Sequence, residues 1–245
     1  MLEFVQRVAV IGCGGIGSWL LGPLLRFLAA EDFKGEIKLW DGDRYSPANK
    51  LRQEFQAAAL NQNKAEAQAE NYRRQYPGLN LVSRNAYVAG NNVRETVREN
   101  ALVFVCVDNH PARVLVDQAA ANLRNVCVLS AGNEKLDGNV CVTLRRAGKP
   151  LTASFLERHP EAVRMRRGDR SELSCEELAA AGDTQLLVTN FTAATAALAA
   201  FQALWAPVRK RLPPQEIYFD LRQCALNAVP AAAKEAKEAT PCLKG

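Results

Sequence analysis

The sequence predicts an α/β protein built on a doubly wound, mostly parallel sheet. Three observations carry that expectation. Strand-like and helix-like runs alternate through the first half of the chain, several strand-like runs are apolar throughout, and a glycine-rich turn joins the first strand to the first helix. A fully apolar run such as Leu102-Val103-Phe104-Val105-Cys106-Val107 is what a sheet covered on both faces requires. Right-handed crossovers between such strands place helices on both faces and leave ligands at the carboxyl ends of the strands.

The elements follow in order. Strands are expected at Val5–Ile11, Glu36–Trp40, Leu79–Ser83, Leu102–Val107 and Val126–Ser130. Between them, helices are expected at Ile16–Ala30, Ala57–Arg74, a short stretch near Asn92–Arg98, and Ala112–Leu123. After Ser130 the character changes. A turn at Asp137-Gly138 leads into a short strand at Asn139–Leu144. The polar, basic stretch from Leu151 to Ser174 then reads as a mobile crossover or lid. A long helix from about Gln185 to Lys210 and strands at Ile217–Leu221 and Ala225–Val229 complete a single domain over residues 1–230. The low-complexity tail Ala231–Gly245 is expected to fray.

Composition narrows the class. At 245 residues, 48% hydrophobic and 23% charged, the chain can bury a sizeable core as a soluble globule. Its net charge of +5 is spread too evenly for a nucleic-acid surface, the basic cluster Arg164, Arg166, Arg167 and Arg170 excepted. The seven cysteines form no C-x-x-C pair, which argues against a disulfide framework and fits a reducing cytoplasm. Cys13, Cys106, Cys127 and Cys141 fall in or beside strands and read as small core residues. A strand begins almost at once, so no signal peptide is expected. Thr189, Asn190, Thr192, Thr195 and Gln202 interrupt the apolar stretch Leu186–Trp205, so a buried or interface helix is expected rather than a membrane span.

The chemistry starts at Gly12-Cys13-Gly14-Gly15-Ile16-Gly17-Ser18. Gly12 permits the tight turn, Gly14 lets backbone approach a phosphate, and Gly17 lets helix and strand pack closely. The N–H groups of the helix start suit an anion. Asp41, about 24 residues beyond Gly17 at the end of the second strand, can accept the hydroxyl protons of a ribose. A dinucleotide site needs that acid and few charges near its pyrophosphate. Here Arg52 and Lys64 add two cations, and Asp108, followed by Arg113 on the next helix, adds a carboxylate. Cations to neutralise phosphate oxygens and a carboxylate to hold a metal suit a triphosphate with Mg²⁺. Neither His110 nor His159 has a sequence partner that suggests a catalytic pair, and two histidines give no metal site.

These residues resemble the ThiF/MoeB/HesA adenylyltransferases, whose Rossmann-like adenylation fold is shared with ubiquitin-activating enzymes. The glycine turn Gly12–Ser18, the acidic pair Asp41 and Asp43, the run Ser46 to Phe55, Lys64 and Asp108 match the family pattern in order and spacing. Asn49 and Arg52 keep the polar positions of the run, while Ser46-Pro47-Ala48 departs from it. The likeness covers residues 5 to 145 well and continues more loosely through Cys175–Gly182 and the helix after it. The compact length and the Gln185/Asn190 helix also resemble ThiF-like proteins of the PRTRC plasmid system.

The resemblance implies ATP-dependent adenylation of a carboxylate, typically the C-terminal glycine of a small ubiquitin-like or sulfur-carrier-type protein, by a homodimer. It assigns Gly12, Gly14, Gly15 and Gly17 to packing against the nucleotide, and Asp41 with Asp43 to its ribose side. Asn49, Arg52 and Lys64 would hold phosphates, Asp108 would bind Mg²⁺, and Cys175 would stand where family members place a transfer thiol. The family's zinc-binding C-x-x-C pairs and its arginine-bearing N-terminal helix have no counterpart here, and the Arg164–Arg170 run is the available substitute for that arginine. Two rival readings stay open: a nicotinamide-dependent oxidoreductase, and a nucleotide-binding adaptor that kept the fold without turnover.

Overall fold

The computed structural model describes residues 1–164, 187–206 and 213–231. One nine-stranded sheet runs in the order β3-β2-β1-β4-β5-β6-β8-β9, with β7 paired to β6. Its strands are β1 (Arg7–Ile11), β2 (Glu36–Trp40), β3 (Asn80–Arg84), β4 (Ala101–Val105), β5 (Val126–Asn133), β6 (Asp137–Arg146), β7 (Lys149–Pro150), β8 (Pro214–Asp220) and β9 (Ala225–Pro230). The first five are mutually parallel, and β5 to β9 form an antiparallel extension. Ile11 pairs with both Trp40 and Val105, and that row continues through Ser130 and Cys141 to Glu216.

The doubly wound expectation holds. α1 (Gly15–Ala30), α2 (Lys64–Gln75) and α5 (Leu187–Trp205) cover one face through a core that includes Leu20, Leu24, Tyr72, Phe104, Ala197 and Phe201. α3 (His110–Ala120) covers the other, where Val116 and Ala120 meet Val103, Val105 and Val128. α5 is long and apolar enough to cross a membrane, and half of its most apolar stretch is buried in the fold. It packs closely on α1, with Phe201 edge-on to Phe27 at 5.2 Å, the role of a buried core helix. Its expected ends, Gln185 and Lys210, lie outside the described residues.

Several boundaries move for identifiable reasons. The stretch expected as one helix at Ala57–Arg74 splits into a 3₁₀ turn (Ala57–Ala59) and α2. Asn61 adopts a left-handed φ of 67°, which stops a helix, and Asn63 then caps α2 by accepting the Glu66 N–H. Near Asn92–Arg98 only a 3₁₀ turn forms, Val93–Glu95. Asp137 and Gly138 pair with Asp220 and Phe219 as the start of β6, so the turn falls at 134–136 instead. The segment after Leu151 is packed over its described part rather than loose. α4 (Phe155–Arg158) docks on α3 because the Asp117 carboxylate accepts the N–H groups of Phe155 (2.9 Å) and Leu156 (3.2 Å). Phe155 and Ala162 are buried against it. Residues 165–186, which carry the remaining basic cluster and Cys175, lie outside the described residues, as does the tail beyond Ala231.

Candidate nucleotide site

The glycine turn is built where three strand ends meet. Gly12 has a φ of +89°, a conformation that disfavours any side chain, and a Cβ there would lie 2.7 Å from the Cys106 carbonyl oxygen. A Cβ on Gly17 would lie 1.9 Å from the Gly12 carbonyl oxygen, so helix and turn can close only with glycine. These contacts set β1, α1 and the chain leaving β4 at one point.

α1 starts at this turn with no side-chain cap. That is unusual here, because α2, α3 and α4 are capped by Asn63, Asn109 and Ser154. The first N–H groups of a helix have no partner within it, so an uncapped start leaves donors and the positive end of the helix dipole for an anion.

Asp41 braces the turn from β2. Its carboxylate accepts the N–H of Cys13 at 2.6 Å and of Asp43 at 2.8 Å. It is nearly buried, and that desolvation pushes its pKa up to about 6 against the opposing pull of Lys64 and the two N–H donors. Asp43 binds Lys64 Nζ at 3.1 Å through one oxygen and the Tyr87 hydroxyl through the other. Lys64, the first residue of α2, is itself buried, and its Nζ would lie 3.9 Å from a Cβ on Gly14. The Asn63 cap holds it there, since that amide also donates to the carbonyls of Asp41 and Asp43.

The segment 46–55 folds over the turn. Tyr45 stacks on Phe55 at 4.1 Å, and Gln68 donates to the Tyr45 hydroxyl and the Glu54 carbonyl. Trp19 on α1 donates to the Arg52 carbonyl, and Glu54 N–H donates to Ser18 Oγ. The result is a guanidinium in an uncommon state. Arg52 is only 3% exposed, and its Nε, Nη1 and Nη2 are buried with no hydrogen-bond partner among the described residues. Gln53 Oε1 and both amide atoms of Asn190 on α5 are buried and unpartnered in the same sense. Gln53 reaches within 3.7 Å of a Cβ on Gly14, and Asn190 would crowd a Cβ on Gly15 at 2.8 Å.

The expected site residues thus divide. Gly12, Gly14, Gly15, Gly17, Asp41, Asp43, Arg52 and Lys64 assemble around one turn. Asp108 stands exposed beyond β4 on the chain that leaves Cys106, whose carbonyl abuts Gly12. Asn49 is fully buried, and its Oδ1 accepts the Ser46 N–H at 2.9 Å, so it shapes the segment that carries Arg52. Arg113 turns inward: it donates to Ser130 Oγ, the Val107 carbonyl and the Ala131 carbonyl, and serves as a scaffold between α3 and β5. Sequence reasoning assigned no role to Gln53, Asn190 or Tyr87. Only Asn190 carried a signal, as a polar break in an apolar helix.

A phosphate chain fits what is present. An uncapped helix start and buried Lys64 meet at the glycines, and the segment folded over them carries a buried cation lacking a partner among the described residues. Such donors are left unpaired only at a cost that an anionic ligand removes. Asp108, exposed beyond β4, offers a carboxylate of the kind a divalent metal on such a ligand would need.

Fold and site together define a protein of the Rossmann-like adenylation fold with a candidate nucleotide site at its glycine turn. The chain belongs to the ThiF family, whose model matches residues 3–239. It is 32% identical over 136 residues to the mouse (Mus musculus) adenylyltransferase and sulfurtransferase MOCS3, covering 55% of this chain and 28% of that protein. The Caenorhabditis briggsae MOCS3 is 28% identical over 136 residues, covering 55% and 32%. The chain therefore spans about a third of the length of these relatives or less. Among solved structures, Escherichia coli MccB with ATP superposes with a TM-score of 0.66 at 16% identity, over 96% of this chain and 66% of that one. PaaA gives 0.65 at 17% identity, over 94% and 65%. The doubly wound, mostly parallel architecture is the one these neighbours share.

Proposed function

We propose that this chain is an ATP-dependent adenylyltransferase that activates the C-terminal carboxylate of a small ubiquitin-like, sulfur-carrier-type protein as its acyl-adenylate. The observation that carries the reading is Arg52, a buried guanidinium with no partner among the described residues, in a segment bonded to the first turns of uncapped α1 through its own carbonyl and the Glu54 N–H, while buried Lys64 approaches Gly14. A nicotinamide dinucleotide has no use for both cations and Asp108 together. Family membership, MOCS3 relatives named as adenylyltransferases, and an MccB structure with ATP support the same reading.

In the reaction, a carboxylate oxygen of the protein substrate attacks the α-phosphorus. The bond from that phosphorus to the bridging oxygen breaks, and pyrophosphate leaves with the electron pair. Asp41 takes the ribose side. Arg52, Lys64 and the N–H groups at the start of α1 neutralise charge that grows on the phosphate oxygens, and Asp108 is the residue that would hold Mg²⁺. Catalysis of this kind is positioning plus charge stabilisation, so cations matter more than a general base. In this reading the protein is cytoplasmic and acts as a homodimer through the exposed start of α5, where Leu187, Val188 and Phe191 face outward. Cys175 is then the thiol that accepts the activated acyl group.

Titration calorimetry with ATP and Mg²⁺, and separately with NADH, tests the site. ATP binding that Asp108→Ala weakens only in the presence of Mg²⁺ is the expected result. NADH binding without ATP binding would replace this reading with a dehydrogenase. Cys175→Ser should leave adenylate formation intact while any thioester disappears from the mass spectrum; an unchanged thioester would remove Cys175 from its role.

A further inference from the structure

A second polar cluster lies three strands from the glycine turn, on the α3 face of the antiparallel extension. Cys141 on β6 and Glu216 on β8 are direct cross-strand partners. Cys141 Sγ lies 3.0 Å from Glu216 Oε1, and His159 Nε2 lies 2.9 Å from the same oxygen. The three donor atoms all fall within 4.8 Å of one another, with Cys141 and Glu216 buried. Across β4 and β5 this places Cys141 about 14 Å from the β1 row at ordinary strand spacing, well clear of the nucleotide crevice.

We propose that Cys141, His159 and Glu216 form a binding site for a thiophilic divalent cation, Zn²⁺ by its donor set, which clamps the crossover segment 155–163 onto β6 and β8. One thiolate, one imidazole and one carboxylate are ligands this ion takes, at about 2.3 Å for sulfur and about 2.0–2.2 Å for nitrogen and oxygen. Tetrahedral geometry at those lengths separates donors by about 3.2–3.7 Å, somewhat beyond the 3.0 and 2.9 Å that now separate Cys141 Sγ and His159 Nε2 from Glu216 Oε1. Thiolate and carboxylate together balance the charge of the ion.

The surroundings are arranged as those of a metal-binding histidine are. His159 points Nε2 at the cluster while its Nδ1 lies 3.2 Å from Glu161 Oε1, so a carboxylate orients the ring from behind. Phe155 packs against the imidazole at 5.3 Å and fixes its plane. Cys141 Sγ at 3.0 Å, His159 Nε2 at 2.9 Å and Asn139 Nδ2 at 2.6 Å converge on Glu216 Oε1, which puts the carboxylate at the centre of the donor set. Burial pushes the Cys141 thiol up, against the pull of Arg158, and the neighbouring Glu216 carboxylate adds to the rise, so binding the ion must displace the thiol proton. A water completes the coordination. The site is independent of the adenylation reading, and either can fail alone.

The full chain, stripped of metal by a chelator and titrated anaerobically with Co²⁺, provides the test. One equivalent should produce a near-ultraviolet sulfur-to-cobalt charge-transfer band and intense visible bands of a four-coordinate ion, and added Zn²⁺ should erase both. Cys141→Ser should abolish the sulfur band. His159→Ala, at a partly exposed position that tolerates truncation, should weaken Co²⁺ binding at least ~10-fold. Absence of the band in folded wild-type protein overturns the proposal and leaves a hydrogen-bonded His–Glu pair. Persistence of the band in Cys141→Ser, or unweakened binding in His159→Ala, overturns it equally.

Discussion

Arg52 carries a cost in the ligand-free protein that a bound phosphate would remove on the proposed reading. An effectively desolvated, unpartnered guanidinium opposes folding by on the order of several kcal/mol, and even buried ion pairs replaced by apolar side chains of similar volume are often neutral or more stable by about 1–4 kcal/mol. Arg52→Met should therefore raise the thermal unfolding temperature of the nucleotide-free protein while lowering adenylation about 10²- to 10³-fold, the usual loss for one charge-stabilising donor. Calorimetric unfolding and pyrophosphate release measured on the same preparation check both halves. A variant that is destabilised, or that retains turnover, contradicts the assignment.

Asp41 makes a second statement at this scale. Its pKa, raised by burial to about 6 from the ordinary carboxylate range, means the folded protein binds a proton more tightly than the unfolded chain. The stabilisation from that proton is complete below the unfolded value near 4 and is lost as pH rises through 6. The loss is on the order of 2–3 kcal/mol. Lys64 and Asp43 face the same carboxylate, and their opposite effects are already contained in its position. Denaturant unfolding from pH 4 to pH 7 should show this slope in wild type and its absence in Asp41→Asn. Equal slopes would place the titration elsewhere.

At the scale of elements, the glycines separate close approach from mere turn preference. A methyl at Gly17 would enter the Gly12 carbonyl at 1.9 Å, where backbone meets backbone and nothing can swing aside. Gly17→Ala should cost about 3 kcal/mol or more, at the top of the range for overpacking. Gly78, whose Cβ would meet nothing within 4 Å, is the control. Gly78→Ala should stay within about 0.5 kcal/mol of wild type, with a slight gain from the restricted unfolded chain. Chemical denaturation of the two variants decides whether α1 is seated by this contact.

For the molecule as a whole, the parallel half was legible because its signals are local. Apolar strands, the glycine turn and Asp41 each declare themselves within a few residues, and their order dictates the winding. What escaped depends on residues brought together across the sheet. Cys141, His159 and Glu216 are separated by 18 and 57 positions, and only the antiparallel β6–β8 pairing makes them neighbours. His159 therefore read as partnerless, and Cys141 as a small core residue. Arg113 and Asn49 show a related effect: residue type announces hydrogen-bonding capacity, while the surrounding fold decides which backbone groups take it, here the Val107 and Ala131 carbonyls and the Ser46 N–H. Gln53 and Asn190 converge on the glycine turn from segments far apart in the chain, a convergence no spacing rule expresses.

The central claim is that the crevice at Gly12–Gly17 holds ATP for in-line adenylation of a carboxylate. ATP–pyrophosphate exchange tests it most directly, with a small ubiquitin-like protein ending in glycine as acceptor, for wild type and Asp108→Ala. The account expects labelled pyrophosphate to enter ATP only when that protein is present, and to do so at most weakly in the variant. ATP binding with no exchange across such acceptors would contradict it and leave a nucleotide-binding adaptor on the same fold.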